Sequence, residues 1–285
     1  MMSPITLESY GSGRGHLVEL DADHPGFKDP VYRQRRNEIA AIALAYTSGS
    51  PVPSAPYTKE EDAVWETTLA TLRPLHDALV VAELNHLQRS LDLHCSSVPQ
   101  LSFLNGLLAT SSGYRLEPVA GLVAARAFLS ALGRSVFLST QYIRHYSRPL
   151  YTPEPDVVHE LVGHAASLMH PELARVNRAI GLAAEEATDS EMARIESVYW
   201  YTMEFGVALE GGEPKAVGAG LLSSCGELSQ MRAGPELRDW NLDRIAATPY
   251  DPTQFQPALY VAPSFSRMLF DVLIWMEQGR WRNRD

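Results

Sequence analysis

Apolar positions recur with a helical period along most of the chain, and loops interrupt them where proline, glycine and serine gather. From Val31 to about Tyr46, Ile39, Ala40, Ile42, Ala43 and Leu44 form a dense apolar face that predicts a helix. Ser48 to Tyr57, SGSPVPSAPY, reads as a loop. Thr58 followed by Lys59, Glu60 and Glu61 is an N-cap with acid in the first turn. It opens a long helical pattern through Trp65, Leu69, Leu72 and Leu75 to about Leu93, bent or broken at Pro74. Between Pro99 and Ala120 lie short apolar runs and turn residues, with Tyr114 to Val119 alternating like a short strand. Helical patterns follow from Ala124 to about Leu138 and near 157–169, 172–184 and 190–209. A short strand is predicted at Ala258 to Val261 and a last helix from Ser264 to about Gly279. Arg280, Arg282 and Arg284 then supply the charge that suits a helix C-terminus. Residues 1–30, rich in Gly, Asp and Pro, read as an arm or surface loop. Without an internal repeat or a long linker, the pattern describes one mainly α domain with a few short strands.

Composition narrows the class. With 285 residues, 45% of them hydrophobic and 20% charged, the chain can bury one sizeable core and is too apolar to be disordered. A net charge of −10 argues against a nucleic-acid partner, which selects clustered Lys and Arg. The two cysteines, Cys95 and Cys225, make no disulfide framework and fit a reducing compartment. No stretch approaches the roughly 18 apolar residues that span a membrane, and the first residues lack the pattern of a secretion signal. A cytoplasmic location is the expectation.

The chemistry concentrates in Pro155-Asp156-Val157-Val158-His159-Glu160-Leu161-Val162-Gly163-His164. Two imidazoles and a carboxylate fall within six residues of an otherwise apolar run. On an ideal α-helix a spacing of i and i+5 sets the two rings about 140° apart. Both reach one ion only if His159 sits at the helix start, where Pro155 and Asp156 predict a boundary. This is not the i, i+4 arrangement of zinc proteases. Glu204, in the aromatic run Tyr199-Trp200-Tyr201-Thr202-Met203-Glu204-Phe205-Gly206, is the candidate third ligand, because coordination removes the cost of burying its charge. Two His and one carboxylate with open positions make the facial triad of non-haem Fe(II) oxygenases. Taken singly, each histidine would read as a satisfied core residue, Trp200 and Phe205 as core aromatics, and Glu160 as a solvated helix residue. His24, His76, His86, His94 and His170 stand alone and read as surface or capping residues.

The chain resembles the pterin-dependent aromatic amino acid hydroxylases. The matching segments are DADHPGFKDPVYRQRR from Asp21, GYRLEPVAGL from Gly113, TQYIRHYSRPLYTPEPDVVHELVGH from Thr140, YWYTMEFG from Tyr199, GAGLLSSCGEL from Gly218 and QFQPALYVAPSF from Gln254. They follow the family's order and cover almost the whole chain from about residue 20. The resemblance implies an arm over 1–20 and a catalytic domain over 21–285 of the family's mainly α fold, monomeric and without the family's regulatory domain or tetramerisation tail. It also implies Fe(II) on His159, His164 and Glu204, a tetrahydropterin as electron donor and O2 as co-substrate. One oxygen atom enters the aromatic ring and the other leaves on the pterin.

Other roles carry over by position. Phe128 matches the aromatic that stacks on the pterin, with backbone contacts from Leu129 and a water-mediated one from Glu160. Arg144 matches the guanidinium that pairs with the substrate carboxylate, a role suited to its two parallel donors. Thr152 and Ser223 match hydroxyls near the amino acid backbone, and Pro155, Trp200, Phe205 and Gly220 match walls of the aromatic slot. Three departures bear on the substrate. Ala165-Ala166 replaces the usual Val-Pro, Leu138 replaces a common His near pterin and iron, and Pro252 occupies a ring-pocket position. Phenylalanine converted to tyrosine is the favoured reaction. Hydroxylation at the meta carbon, tyrosine or tryptophan as substrate, and a zinc hydrolase of another class are the alternatives. The i, i+5 spacing speaks against the last.

Overall fold

The computed structural model describes residues 18, 20–91, 93 and 96–283. Most of the 1–20 arm, together with His94, Cys95 and Arg284, lies outside them. Helices make up about 52% of the chain, as the mainly α reading required.

Helix α1 (Pro30–Leu44) starts where Asp29 accepts from the Val31 and Tyr32 amides and proline occupies the first turn. Of the predicted face it buries Ile39, Ala40 and Ala43, while Ile42 is half-buried and Leu44 exposed. Val18 and Leu20 pack against Tyr32 and Ala40, so this end of the N-terminal segment is docked rather than a surface loop. Helix α2 (Lys59–Leu79) opens with a reciprocal capping box between Thr58 and Glu61. It runs through Pro74 without breaking. The break comes instead at Val80 and Val81, both extended, because the Val81 amide donates to the carbonyl of Ala216. Helix α3 (Ala82–Ser90) follows.

Helix α4 (Leu101–Ser111) occupies the stretch read as short apolar runs. Its buried Leu101, Leu104 and Leu108 are a helical stripe that the turn residues beside it obscure. The predicted strand at 114–119 is β1 (Arg115–Pro118). Helix α5 (Ala125–Gly133) is shorter than predicted: Ser135 takes a left-handed φ of 58°, and Val136 to Ser139 leave the helix as β2 (Val136–Ser139). Strand β2 pairs in parallel with β1, so Leu138 faces Glu117 across a strand pair. The next helical stretch begins at Val157, and α6 (Ala166–Leu168) continues it.

Helix α7 (Pro171–Glu186) crosses α5 at two glycines. A Cβ on Gly181 would lie 1.9 Å from the amide nitrogen of Gly133, so the backbones touch. Helix α8 (Asp189–Tyr199) ends before the predicted limit of 209, where β3 (Val207–Glu210) and β4 (Glu213–Ala216) form a hairpin. Its turn is Gly211-Gly212, both at positive φ, the conformation of a tight hairpin loop. Helices α9 (Ala219–Ser223) and α10 (Cys225–Gln230) follow, then β5 (Glu236–Asp239), α11 (Leu242–Ile245), β6 (Ala258–Ala262) and α12 (Phe265–Glu277). The second sheet has the order β4-β3-β6-β5. One hydrophobic cluster joins α2 to α12 and surrounds the residues around His159 and Glu204. Among the described residues no helix is long and apolar enough to cross a membrane.

Candidate metal centre

The two sequence segments that carry the candidate ligands are wound as π-helical turns, His159–Ala165 and Trp200–Glu204. In a π turn, residue i+5 stacks on residue i, and the wider coil brings to one face side chains that an α-helix would separate. The amide of Phe205 donates to the carbonyl of Trp200 at 2.8 Å, the five-residue bond of such a turn. That local geometry reconciles His159 and His164 with a shared ion. The expected boundary is also present: Asp156 caps the segment, accepting from the His159 amide at 3.3 Å. Gly163 is required by its neighbour, since a Cβ there would come within 2.7 Å of the Ala219 carbonyl on α9.

His164 Nε2 lies 3.0 Å from His159 Nε2 and 3.0 Å from Glu204 Oε1, and His159 Nε2 lies 3.6 Å from Glu204 Oε2. Among the described residues these three are the group of His, Cys, Asp and Glu side chains placed to hold a metal ion, with donor atoms all within 4.8 Å of one another. Ser223 fits one tautomer of His159. Its Oγ stands 2.8 Å from the Ala219 carbonyl, which can only accept, so the single hydroxyl proton goes there. The same oxygen, 2.9 Å from His159 Nδ1, therefore accepts Nδ1–H. The lone pair on Nε2 is left facing the cluster, the form a metal ligand needs.

Electrostatics agree. Burial lowers the pKa of His159 to about 4 against the pull of Glu204, so this imidazole is neutral near pH 7. Burial would also lower His164, but the Glu204 carboxylate beside it raises it. For Glu204, burial works upward, yet the charge and hydrogen bond of His164 and the charge of His159 hold it down at about 2. Without an ion the three share protons. A divalent cation would replace them with three lone-pair contacts and leave an open side, which is the donor set of a mononuclear oxygenase iron.

Around the cluster, Phe137 tilts onto the His164 ring at 4.7 Å, and Phe128 meets Phe137 edge-on at 5.4 Å and Tyr199 at 5.8 Å. Phe128 is thus brought beside the ligands through one aromatic neighbour. Leu129 points into the core, and Leu138 is half-buried next to Phe137. Glu160, 5% exposed, is not the solvated helix residue of the plainest reading. It accepts from the amide and hydroxyl of Thr140, and burial raises its pKa to about 7.

Arg144 is fully enclosed. Its Nε and Nη2 each lie 2.8 Å from an oxygen of Asp156, whose side chain is 0% exposed. The two parallel donors expected to face a ligand carboxylate are thus engaged by a buried partner, and Nη1, 3.5 Å from the Pro149 carbonyl, is the less committed group. The Thr152 hydroxyl donates to the Glu154 carbonyl at 2.7 Å, and the carbonyl of Pro155 accepts from Tyr142. Trp200 packs on Phe205 at 4.8 Å, and the Phe205 ring fills the space a side chain on Gly220 would need, its Cζ 2.8 Å from that Cβ position. Pro252 is exposed. The loop that carries it reaches Trp200 through Tyr250 and Gln256 instead. Phe137, Tyr250 and Gln256 were missed in the sequence, and Asp156 was read only as a helix boundary. Of these, only Asp156 carried a visible signal, an acid just before a helix start.

The other histidines were read as surface or capping residues. His24 and His76 are buried, the latter donating to the Leu222 carbonyl at 2.7 Å, whereas His170 caps α7 and His86 is exposed.

The profile of the biopterin-dependent aromatic amino acid hydroxylases matches residues 15–278. The chain belongs to this family. It is 46% identical over 263 residues to phenylalanine-4-hydroxylase of Rattus norvegicus and 45% identical to tyrosine 3-monooxygenase of Mus musculus, covering 90% and 88% of the chain. It spans 57% and 52% of those relatives' own lengths. Among solved structures, phenylalanine hydroxylase of Chromobacterium violaceum with bound iron(III) and 7,8-dihydrobiopterin superposes with a TM-score of 0.73 at 27% identity, over 84% of this chain and 91% of that one. The family's hydroxylase fold is therefore the frame in which the cluster sits.

Proposed function

We propose that the chain is an Fe(II)- and tetrahydropterin-dependent monooxygenase that hydroxylates the ring of an aromatic amino acid, with L-phenylalanine converted to tyrosine. The convergence of His159, His164 and Glu204 on one point, in a chain of this family, carries the reading. His159, His164 and Glu204 hold the iron. Iron and pterin together supply the activation of O2, one oxygen atom going into a ring C–H bond while the pterin provides two electrons for the other.

The remaining residues bind and orient. Phe128 stacks on the pterin, Leu129 and Leu138 flank it, and Glu160 anchors it through water. Trp200, Phe205, Gly220 and Pro155 bound the ring slot. Arg144 faces the carboxylate of the amino acid, held by Asp156 so that Nη1 rather than the fork is presented. Thr152 lines the amino acid backbone. The Ser223 hydroxyl, committed to Ala219 and His159, acts on the ligand geometry. The buried free thiol of Cys225 agrees with a reducing, cytoplasmic setting.

A second reading, hydroxylation at the meta carbon, rests on Leu138, a half-buried residue at the position where the resemblance leads one to expect a histidine near pterin and iron. Incubation with Fe(II), a tetrahydropterin, O2 and each aromatic amino acid tests both, with para- and meta-tyrosine separated by chromatography. Para-tyrosine from phenylalanine is expected. Tight zinc binding with no pterin oxidation would overturn the oxygenase account.

A further inference from the structure

Gln256 is 4% exposed, and its side-chain oxygen, side-chain nitrogen and backbone N–H are all engaged. Its Oε1 accepts from the Trp200 indole Nε1–H at 2.8 Å. Its Nε2 donates to the carbonyls of Asp251 at 3.2 Å and Gln254 at 3.0 Å, and its amide donates to Glu227 Oε1 at 3.0 Å. A reversed side-chain amide would set NH2 against the indole N–H and oxygen against two carbonyls, so only one orientation is satisfied. Tyr250, from the same loop, stacks on the indole at 4.4 Å and 16°, and Phe205 closes on it at 4.8 Å. The indole is thereby held at its edge and by two rings. Trp200 begins the π turn that ends at Glu204, so this tryptophan stands at a fixed offset from the proposed ligand.

We infer that Gln256 is a positioning residue that locks the Trp200 indole and, through it, sets where the aromatic ring of the amino acid lies relative to the metal centre. This rests on the function proposed above. It accounts for how an exposed loop at 251–255 bears on the slot although Pro252 itself points to solvent: the loop is tied to Trp200 by one buried amide.

The test compares Gln256→Met, which keeps chain length and removes all side-chain hydrogen bonds, with Gln256→Glu, which keeps an acceptor for the indole but loses both donors. Each is made in the parent and in Trp200→Phe, which has no indole N–H. Gln256→Met should raise the amino acid KM about tenfold, the scale of one buried hydrogen bond, and lower tyrosine formed per pterin oxidised. The pterin KM should stay within about twofold, and Gln256→Glu should fall between. In the Trp200→Phe background the effect of Gln256→Met should shrink to about twofold or less. Proton exchange of the Trp200 indole, followed by nitrogen-15 NMR on the metal-free protein, should speed up at least about tenfold in Gln256→Met. An undiminished effect in the Trp200→Phe background, or unchanged indole exchange, would overturn the inference. If Gln256→Met does not fold, the same comparisons on Gln256→Glu decide. A parent protein that hydroxylates no aromatic amino acid would sink the proposed function instead, and the indole exchange would still judge the Gln256–Trp200 link.

Discussion

Replacing Ser223 by alanine removes one oxygen atom from α9 and leaves the surrounding packing otherwise intact. That oxygen receives the Nδ1–H of His159 at 2.9 Å in a buried site. Without it, Nδ1–H has no partner there, and a buried unpaired donor costs about 1–3 kcal/mol. The imidazole escapes part of that cost by moving its proton to Nε2, the atom that faces Glu204, which cancels a metal contact. At about 1.4 kcal/mol per tenfold, the expected loss of ferrous affinity is roughly 5- to 150-fold. This brackets the roughly 10- to 100-fold typical of residues that orient a ligating histidine. Anaerobic titration of the metal-free protein with Fe(II) against a competing chelator measures it, with circular dichroism as the check on folding. An iron affinity within about twofold of the parent would refute the tautomer argument and with it the role given to Ser223.

Four further outcomes are expected. Glu204→Gln should abolish iron retention on dialysis while the helical circular dichroism is kept, since the amide cannot replace the anionic donor. Arg144→Ala should destabilise by about 3–5 kcal/mol, because Asp156 is left as a buried charge without its partner; a melting temperature equal to the parent's would contradict this. Gly181→Ala should lower stability by at least about 1–3 kcal/mol in chemical denaturation, as its methyl would overlap the backbone of Gly133. Glu227 is held by burial at a pKa of about 7, above its ordinary 4.5. A raised carboxyl favours the fold while protonated, so its contribution declines as pH climbs from 4.5 toward 7 and stays low above that. Glu227→Gln should therefore melt above the parent at pH 8 and level with it near pH 4, by calorimetry.

The helices were legible where their signals were local: the Thr58 cap, the span of α1 and the final helix all fall within a few residues of their predicted places. What the pattern could not show was set by distant partners. Val80 and Val81 leave the helix because Ala216, far along the chain, offers a carbonyl. Val136 to Ser139 become a strand because β1 lies beside them. Pro74 breaks nothing, since buried Trp65, Leu69 and Leu72 before it and buried His76 after it hold α2 on both sides. The three candidate ligands were legible from residue type alone, but the means of their convergence was not, because π turns leave no mark in apolar periodicity. Buried polar partners were read as a helix boundary only, as with Asp156, or not read at all, as with Gln256, for the same reason: a charge or amide in sequence does not announce what it will meet.

A π turn holds one residue more than the α-helical turn it replaces, and the centre depends on that surplus twice. Excising a single residue between His159 and His164 would restore ordinary α winding there and still leave the imidazoles neighbours. An added residue there, by contrast, would rotate everything downstream by about 100°. Gly163 would then turn away from the Ala219 backbone, and some bulkier neighbour would be driven into it. The segment should thus withstand loss of its one surplus residue better than the gain of another. A library of one-residue deletions and insertions would display that asymmetry directly.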